Sequence, residues 1–131
     1  MDKNLLNISA IETFLNTLLS GNVSDNVFFG GLPTTIKENW NDMVVVDCSG
    51  TIKDMDAYGR GIVSILLYPS KNFSDGSKNV AVLSSLSTLL NNSIEGSTDE
   101  HYSINRMGMT SDYDTIRKIY YDIVFLNIRI H

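Results

Sequence analysis

Apolar residues recur along this chain with two periods. Ile8, Ile11, Leu15, Leu18 and Leu19 repeat at three- and four-residue spacing and form one helical stripe. Ser9 to Glu12 match a capping box, in which the serine hydroxyl accepts from the amide three residues on and the glutamate reaches back to the serine amide. Gly21 supplies a left-handed stop, so the pattern predicts a helix over 9–20. A second stripe, Val82, Leu83, Leu86, Leu89, Leu90 and Ile94, predicts another over 79–93, closed by Gly96. Its other face is serine, threonine and asparagine, which form helices weakly, so the leucines must hold it by packing and its uncharged surface is free to meet another protein.

Elsewhere the period falls to two. Residues 21–42 carry Gly30, Gly31 and Pro33 and predict a connection with one short strand at Val27–Phe29. Met43 to Cys48 is a β-branched run bounded by turn formers and predicts a central strand. From Asp47 to Arg60, Ile52, Met55 and Tyr58 alternate irregularly with Lys53, Asp54 and Asp56, which suits an extended ribbon or mobile loop projecting from the core. Gly61–Tyr68 is a strand stopped by Pro69, Asp75 and Gly76 mark a turn, and Tyr102–Thr110 is a further strand, with Ser111–Asp114 as a tight connection.

Thr115 to His131 then alternates for seventeen residues without Gly or Pro. Strands usually have about 5 or 6 residues. This one is expected either to bend across the whole sheet or to serve a neighbouring subunit as well. Ile119, Tyr121, Ile123 and Phe125 share one parity, and Tyr120, Val124, Leu126, Ile128 and Ile130 the other, so both faces are partly buried. The first parity turns polar at Asn127 and Arg129, where the chain is expected to leave the core and meet solvent or a partner; trimming Ile128–His131 should then harm assembly more than folding.

This order of elements implies a two-layer α+β fold, a mainly antiparallel four- to five-stranded sheet with two helices packed on one face beside Val45, Ile65 and Val124. A length of 131 residues, 43% hydrophobic and 19% charged, fits one globular domain spanning 1–131. Trp40 is expected to close one end of the core, with a binding anchor as the sharper alternative. A net charge of −5 without any cluster of Lys and Arg argues against direct contact with nucleic acid. The apolar runs fall short of the ~20 residues that span a bilayer, and no signal peptide is recognisable. The expectation is a soluble chain made in the cytoplasm, without membrane contact.

Candidate chemistry is sparse. Cys48, His101 and His131 lack metal-ligand spacing, and Cys48 reads as a buried, inert thiol. The pairs Asp54 and Asp56, Asp99 and Glu100, and Asp112 and Asp114 suit acid–base work but equally any acidic surface loop. No strained serine elbow is present. Gly59-Arg60-Gly61 lacks the rest of a dinucleotide loop and is expected to let the chain bend or bulge as a strand begins. These readings predict no enzyme activity, no cofactor and no metal.

The layout resembles the tail-terminator or tail-completion family of long-tailed bacteriophages. The resemblance rests on the early helix ending at Leu19-Ser20-Gly21, on Met43 to Cys48, on Tyr58 to Tyr68, on the helix from Asn79 to Ile94, on Tyr102 to Ile104, and on Tyr120 to Ile128. It implies a helix-flanked sheet assembling as a homo-oligomeric ring, usually of six copies, which caps the tail tube, meets the neck proteins and supports head–tail joining in the virion. The alternative is a small peptide- or ligand-binding module using a sheet edge or face. Under either reading the candidate interface residues are Ile52, Asp54, Met55, Asp56, Tyr58, Asn127 and Arg129.

Overall fold

Asn7, rather than Ser9, begins the first helix. Its side chain accepts a hydrogen bond from the Ala10 amide at 2.8 Å, and α1 runs Ile8–Leu19. Asparagine caps as well as serine does, and Ser9 lies inside the first turn, its carbonyl accepting from the Thr13 hydroxyl at 2.9 Å. Gly21 follows the helix with φ +77°, in the left-handed region where glycine is unstrained. The computed structural model describes residues 1–95, 97 and 99–131. Asn79 caps α2, Val80–Ile94, by accepting from the Val82 amide at 3.3 Å, and Gly96, the expected stop, lies outside the described residues.

The strands are β1 Val27–Phe29, β2 Asp42–Asp47, β3 Ile52–Asp54, β4 Gly59–Pro69, β5 Tyr102–Asp114 and β6 Ile119–Ile130. They form a mixed six-stranded sheet in the order β1-β2-β4-β6-β5, with the short β3 also paired to β4. Only β1 and β2 run parallel. The fold is α+β, with both helices on one face. There Ile11, Leu15, Leu86 and Leu90 pack against Val44, Ile65, Val124 and Leu126.

Val45 does not join them. Strand alternation turns it to the other face, where it packs with Met43 and Tyr68 beneath Leu32, Ile36 and Trp40 of the connection that follows β1. That connection straps one end of the second face and is tied down where Arg117 Nη2 donates to the Pro33 carbonyl at 3.0 Å. Trp40 is half-buried, its ring 5.4 Å from that of Phe28, and so closes this end of the second cluster.

Two boundaries differ from the sequence reading. Ser111–Asp114 is not a turn but the end of β5, and the turn falls at 115–118. The Asp114 carboxylate captures the amides of Ile116 and Arg117 at 3.0 and 2.9 Å, and Lys118 closes the turn with φ +57°. The last strand therefore starts at Ile119. Nor does it lie at an edge: β6 pairs with β4 on one side and β5 on the other, while the helix-side core takes Val124, Leu126, Ile128 and Ile130 and the second cluster takes Ile119 and Tyr121. Ile128 and Ile130 are fully buried, so the chain does not leave the core before its last residue. The strands at the two ends of the order are β1 and β5, and β5 is the long one.

Candidate interaction surface

Gly59 positions the end of the sheet where most of the candidate residues lie. A Cβ at this position would meet Leu6 Cδ2 at 2.2 Å and Ile130 Cβ at 3.2 Å, so the glycine lets both side chains pack against the backbone, and a larger residue would have to displace them. The pairing of Gly59 and Gly61 with both neighbouring strands is regular, and the bulge expected there is absent. The 47–60 segment is accordingly a hairpin rather than a free ribbon. Ile52–Asp54 pair with Gly59–Gly61, which pair in turn with Ile128–Ile130.

The seven candidate residues divide into four groups. Ile52 is half-buried and packs against the main core. Asp54 and Asp56 face Lys3, whose ammonium lies 2.6 Å from the Asp54 carboxylate and 3.5 Å from that of Asp56. The hydrogen bond from Lys3 holds Asp54 below the usual carboxylate range, and the same bond raises the lysine. Met55, 47% exposed, stands at the hairpin tip, where Asp56 takes φ +68°. Tyr58, Asn127 and Arg129 do come together: the Arg129 guanidinium lies 4.0 Å from the centroid of the Tyr58 ring, and Arg60 Nε donates to Asn127 Oδ1 at 3.3 Å.

These last residues border the part of the second sheet face that the strap does not reach. Strand alternation places Ile62, Ser64, Ile123 and Phe125 on it. Ile62 is 43% exposed, and Ile123 and Phe125 are half-buried. Sequence reasoning did not single out Ile62 or Phe125, although the apolar character of both parities of β6 was the signal that could have found them. Of the charges on this face, Lys53, Arg60 and Arg129 lie at one end, Asp47 lies in the row of Ser64 and Phe125, and Asp112 lies at the other end, where its carboxylate accepts from the Tyr121 hydroxyl at 3.4 Å.

The helix face holds one buried carboxylate that the sequence did not flag. Asp122 is 4% exposed and accepts from Lys78 Nζ at 2.7 Å and Ser111 Oγ at 2.5 Å. Both donors point at the same oxygen, an arrangement that satisfies a buried charge. Beside it, Tyr113 and Tyr120 stand 4.6 Å apart at 49° and, with Lys78, Ser111 and Asp112, line an open hollow of about 390 Å³. Cys48 is half-buried, and its thiol is pushed up to about 11, first by burial and then by the charges of Glu12 and Asp47.

Among the described residues no three His, Cys, Asp or Glu side chains gather as a metal site, and no helix is long and apolar enough to cross a membrane. His101 lies 3.2 Å from Glu100, and His131 Nε2 lies 3.0 Å from the Ser103 hydroxyl. Comparison of the chain with protein-family models gives no match, and comparison with curated proteins gives none.

Proposed function

We propose that this protein is a non-enzymatic structural assembly protein that caps a phage tail tube as a homo-oligomeric ring and supports head–tail joining, the role implied by its resemblance to tail terminators. The observation that carries the assembly reading is β5. It runs Tyr102–Asp114 along one edge of the sheet with one side of its ladder facing away from β6. Long exposed edges invite another strand, and natural sheets usually blunt them. Here the blunting is slight, a bulge between Arg106 and Gly108, while Met107, Met109 and Tyr113 stay 54%, 50% and 39% exposed. In the ring the hairpin tip at Met55 and Tyr58, flanked by Asp54 and Asp56 and supported by Ile52, contacts the neighbouring subunit or the tube, beside Asn127 and Arg129.

The same edge suits a module that captures an extended peptide, and electron microscopy of the protein mixed with its candidate tail tube separates the two. Rings seated on tube ends support the assembly reading. Bare tubes, with a monomer that binds extended peptides along β5, favour the module.

A further inference from the structure

We propose that Lys53, Arg60 and Arg129 form a binding site for one dianionic phosphate group, free or carried on a small organic ester. The inference does not depend on the tail reading. It rests on a row of like charges that strand pairing assembles from distant parts of the chain.

Lys53 lies opposite Arg60, and Arg60 opposite Arg129, so the three cations share one row across β3, β4 and β6 on the sheet face away from the helices. Like charges directly opposite one another destabilise a sheet. Among the described residues the ion pairs are made by Lys3, Lys78, His101 and Arg117, and none by these three. Asp54 and Asp56 are engaged by Lys3. Asp47 shares the face but stands opposite Ser64, four residues or ~13 Å along β4 from Arg60, beyond the ~8 Å over which salt leaves exposed charges coupled. The row therefore carries a cost that an anion would remove.

Both guanidiniums are positioned by neighbours that leave their charge intact. Arg129 lies 4.0 Å from the centroid of the Tyr58 ring, and Arg60 donates through Nε to Asn127 Oδ1 at 3.3 Å, which leaves its terminal nitrogens for a ligand. Beside them a hollow of about 170 Å³ is lined by Thr51, Lys53, Arg60, Gly61 and Ile62. Pockets for drug-sized ligands measure about 300–1,000 Å³, so this one suits a single ionic group.

The spacing favours phosphate over other anions. Neighbouring strands lie ~4.8 Å apart, so long side chains on either side of Arg60 can converge on one group above it. A phosphate ester brings three acceptor oxygens and nearly two negative charges to that point. A carboxylate brings two oxygens, which one guanidinium fork occupies, and carboxylates on one side of an extended peptide recur every ~6.6 Å, out of step with the row. Nor does the row continue as a basic stripe: Ser103 follows Arg129 on β5, and the next row holds Ile62 and Asn127. Three cations serve one phosphate and not the run of a nucleic-acid backbone. Ile62, 43% exposed, and half-buried Phe125 give the organic part of an ester an apolar floor.

Amide NMR titration of the intact chain with inorganic phosphate tests this, at constant ionic strength and about pH 8, where the phosphate is a dianion. The site is open to water and the ligand small, so saturable binding with a dissociation constant on the order of 1 mM is expected. The shifts should be confined to residues 51–53, 60–62 and 127–129. Lys53→Gln and Arg60→Gln should each weaken binding about fivefold or more, the effect in water of one charge at ~4 Å. Both side chains are exposed, and circular dichroism reports that the variants fold. Lys71→Gln, an exposed lysine beyond β4, should leave binding unchanged. Phenyl phosphate separates the two sources: tighter binding with added shifts at Phe125 identifies an ester, and equal binding identifies free phosphate. Acetate that gives the same shifts at the same concentration overturns the proposal, since any anion then suffices. So do shifts that fail to saturate, or a folded Arg60→Gln that binds phosphate as the parent does.

Discussion

The Arg129 guanidinium lies 4.0 Å from the centroid of the Tyr58 ring, so the hairpin that follows β2 is locked to the end of β6 by a cation–π contact. At a site of this exposure the contact contributes about 0.5–1 kcal/mol, enough to fix the hairpin's position and too little to decide whether the chain folds. Tyr58→Ala should keep a native circular dichroism spectrum while weakening assembly. Asp54→Asn removes one partner of an exposed ion pair with Lys3, and should weaken assembly less. Subunit exchange and tube capping by the two variants check the order. Equal behaviour of both with the parent chain would place the contact surface elsewhere.

Lys78 and Asp122 form an ion pair whose carboxylate is buried. The Asp122 side chain is 6% exposed and that of Lys78 32%. Lys78→Met leaves a buried carboxylate with only the Ser111 hydroxyl, and breaking a buried pair from one side is strongly destabilising. Because the lysine keeps some solvent contact, the loss should be roughly 2 to 3 kcal/mol, short of the 3–5 seen for enclosed pairs. Urea denaturation measures it, with Lys3→Met as the control whose midpoint should hardly move. A similar midpoint for both variants would mean that Asp122 is hydrated.

Much of this fold was legible in the sequence because its signals are local. The stripe of Ile11, Leu15 and Leu19, the β-branched run at Met43–Val46 and the stop at Pro69 each reflect burial within one element, and each element formed where the stripe or run predicted. What was not legible depended on competition or on distant partners. Asn7 took the cap from Ser9, and Asp114 gathered the turn amides and moved the turn four residues on, choices between similar groups that spacing does not rank. Asp122 sits among apolar residues of β6, and its burial is explained by Lys78, 44 residues away, together with Ser111 on the neighbouring strand. Of the candidate surface, Tyr58, Asn127 and Arg129 converge, while Asp54 is occupied by Lys3, a pairing between residues 51 apart that no local pattern announces.

Cys48 gives the chain a pH dependence at the alkaline end. Its thiol is raised from an ordinary 9.0 to about 11, so between those values the folded protein keeps a proton that the unfolded chain releases. The unfolded state then binds fewer protons, and stability falls as pH rises through this window, having been fully present below 9.0. Burial also raises Tyr68, Tyr102 and Tyr121, which adds a loss of the same sign as their own window is reached. The difference between the parent and Cys48→Ala isolates the thiol: the variant should lose less stability from pH 9 to 11. Alkylation of the native thiol should be slow at pH 8 and quicken only toward pH 11. Rapid labelling at pH 8 would show that the thiol is not desolvated.

Removal of Ile128–His131 tests whether the chain end serves folding or contact. Asn127 and Arg129 face outward as their parity suggested, yet Ile128 and Ile130 alternate with them into the helix-face core and are fully buried. Ile130 also packs on Gly59, and pairing across these residues holds the first residues of β4 between β3 and β6. Losing one buried isoleucine to alanine costs about 2–5 kcal/mol, and losing two, together with their ladder bonds, approaches the 5–15 kcal/mol that stabilises a typical domain. The truncated chain should therefore be unfolded or molten at 25 °C, with weak near-ultraviolet dichroism and a broad melt. Arg129→Ala, which keeps both isoleucines, should melt close to the parent and be affected only in association. A truncated chain that stays folded and merely fails to associate would return these residues to an interface role.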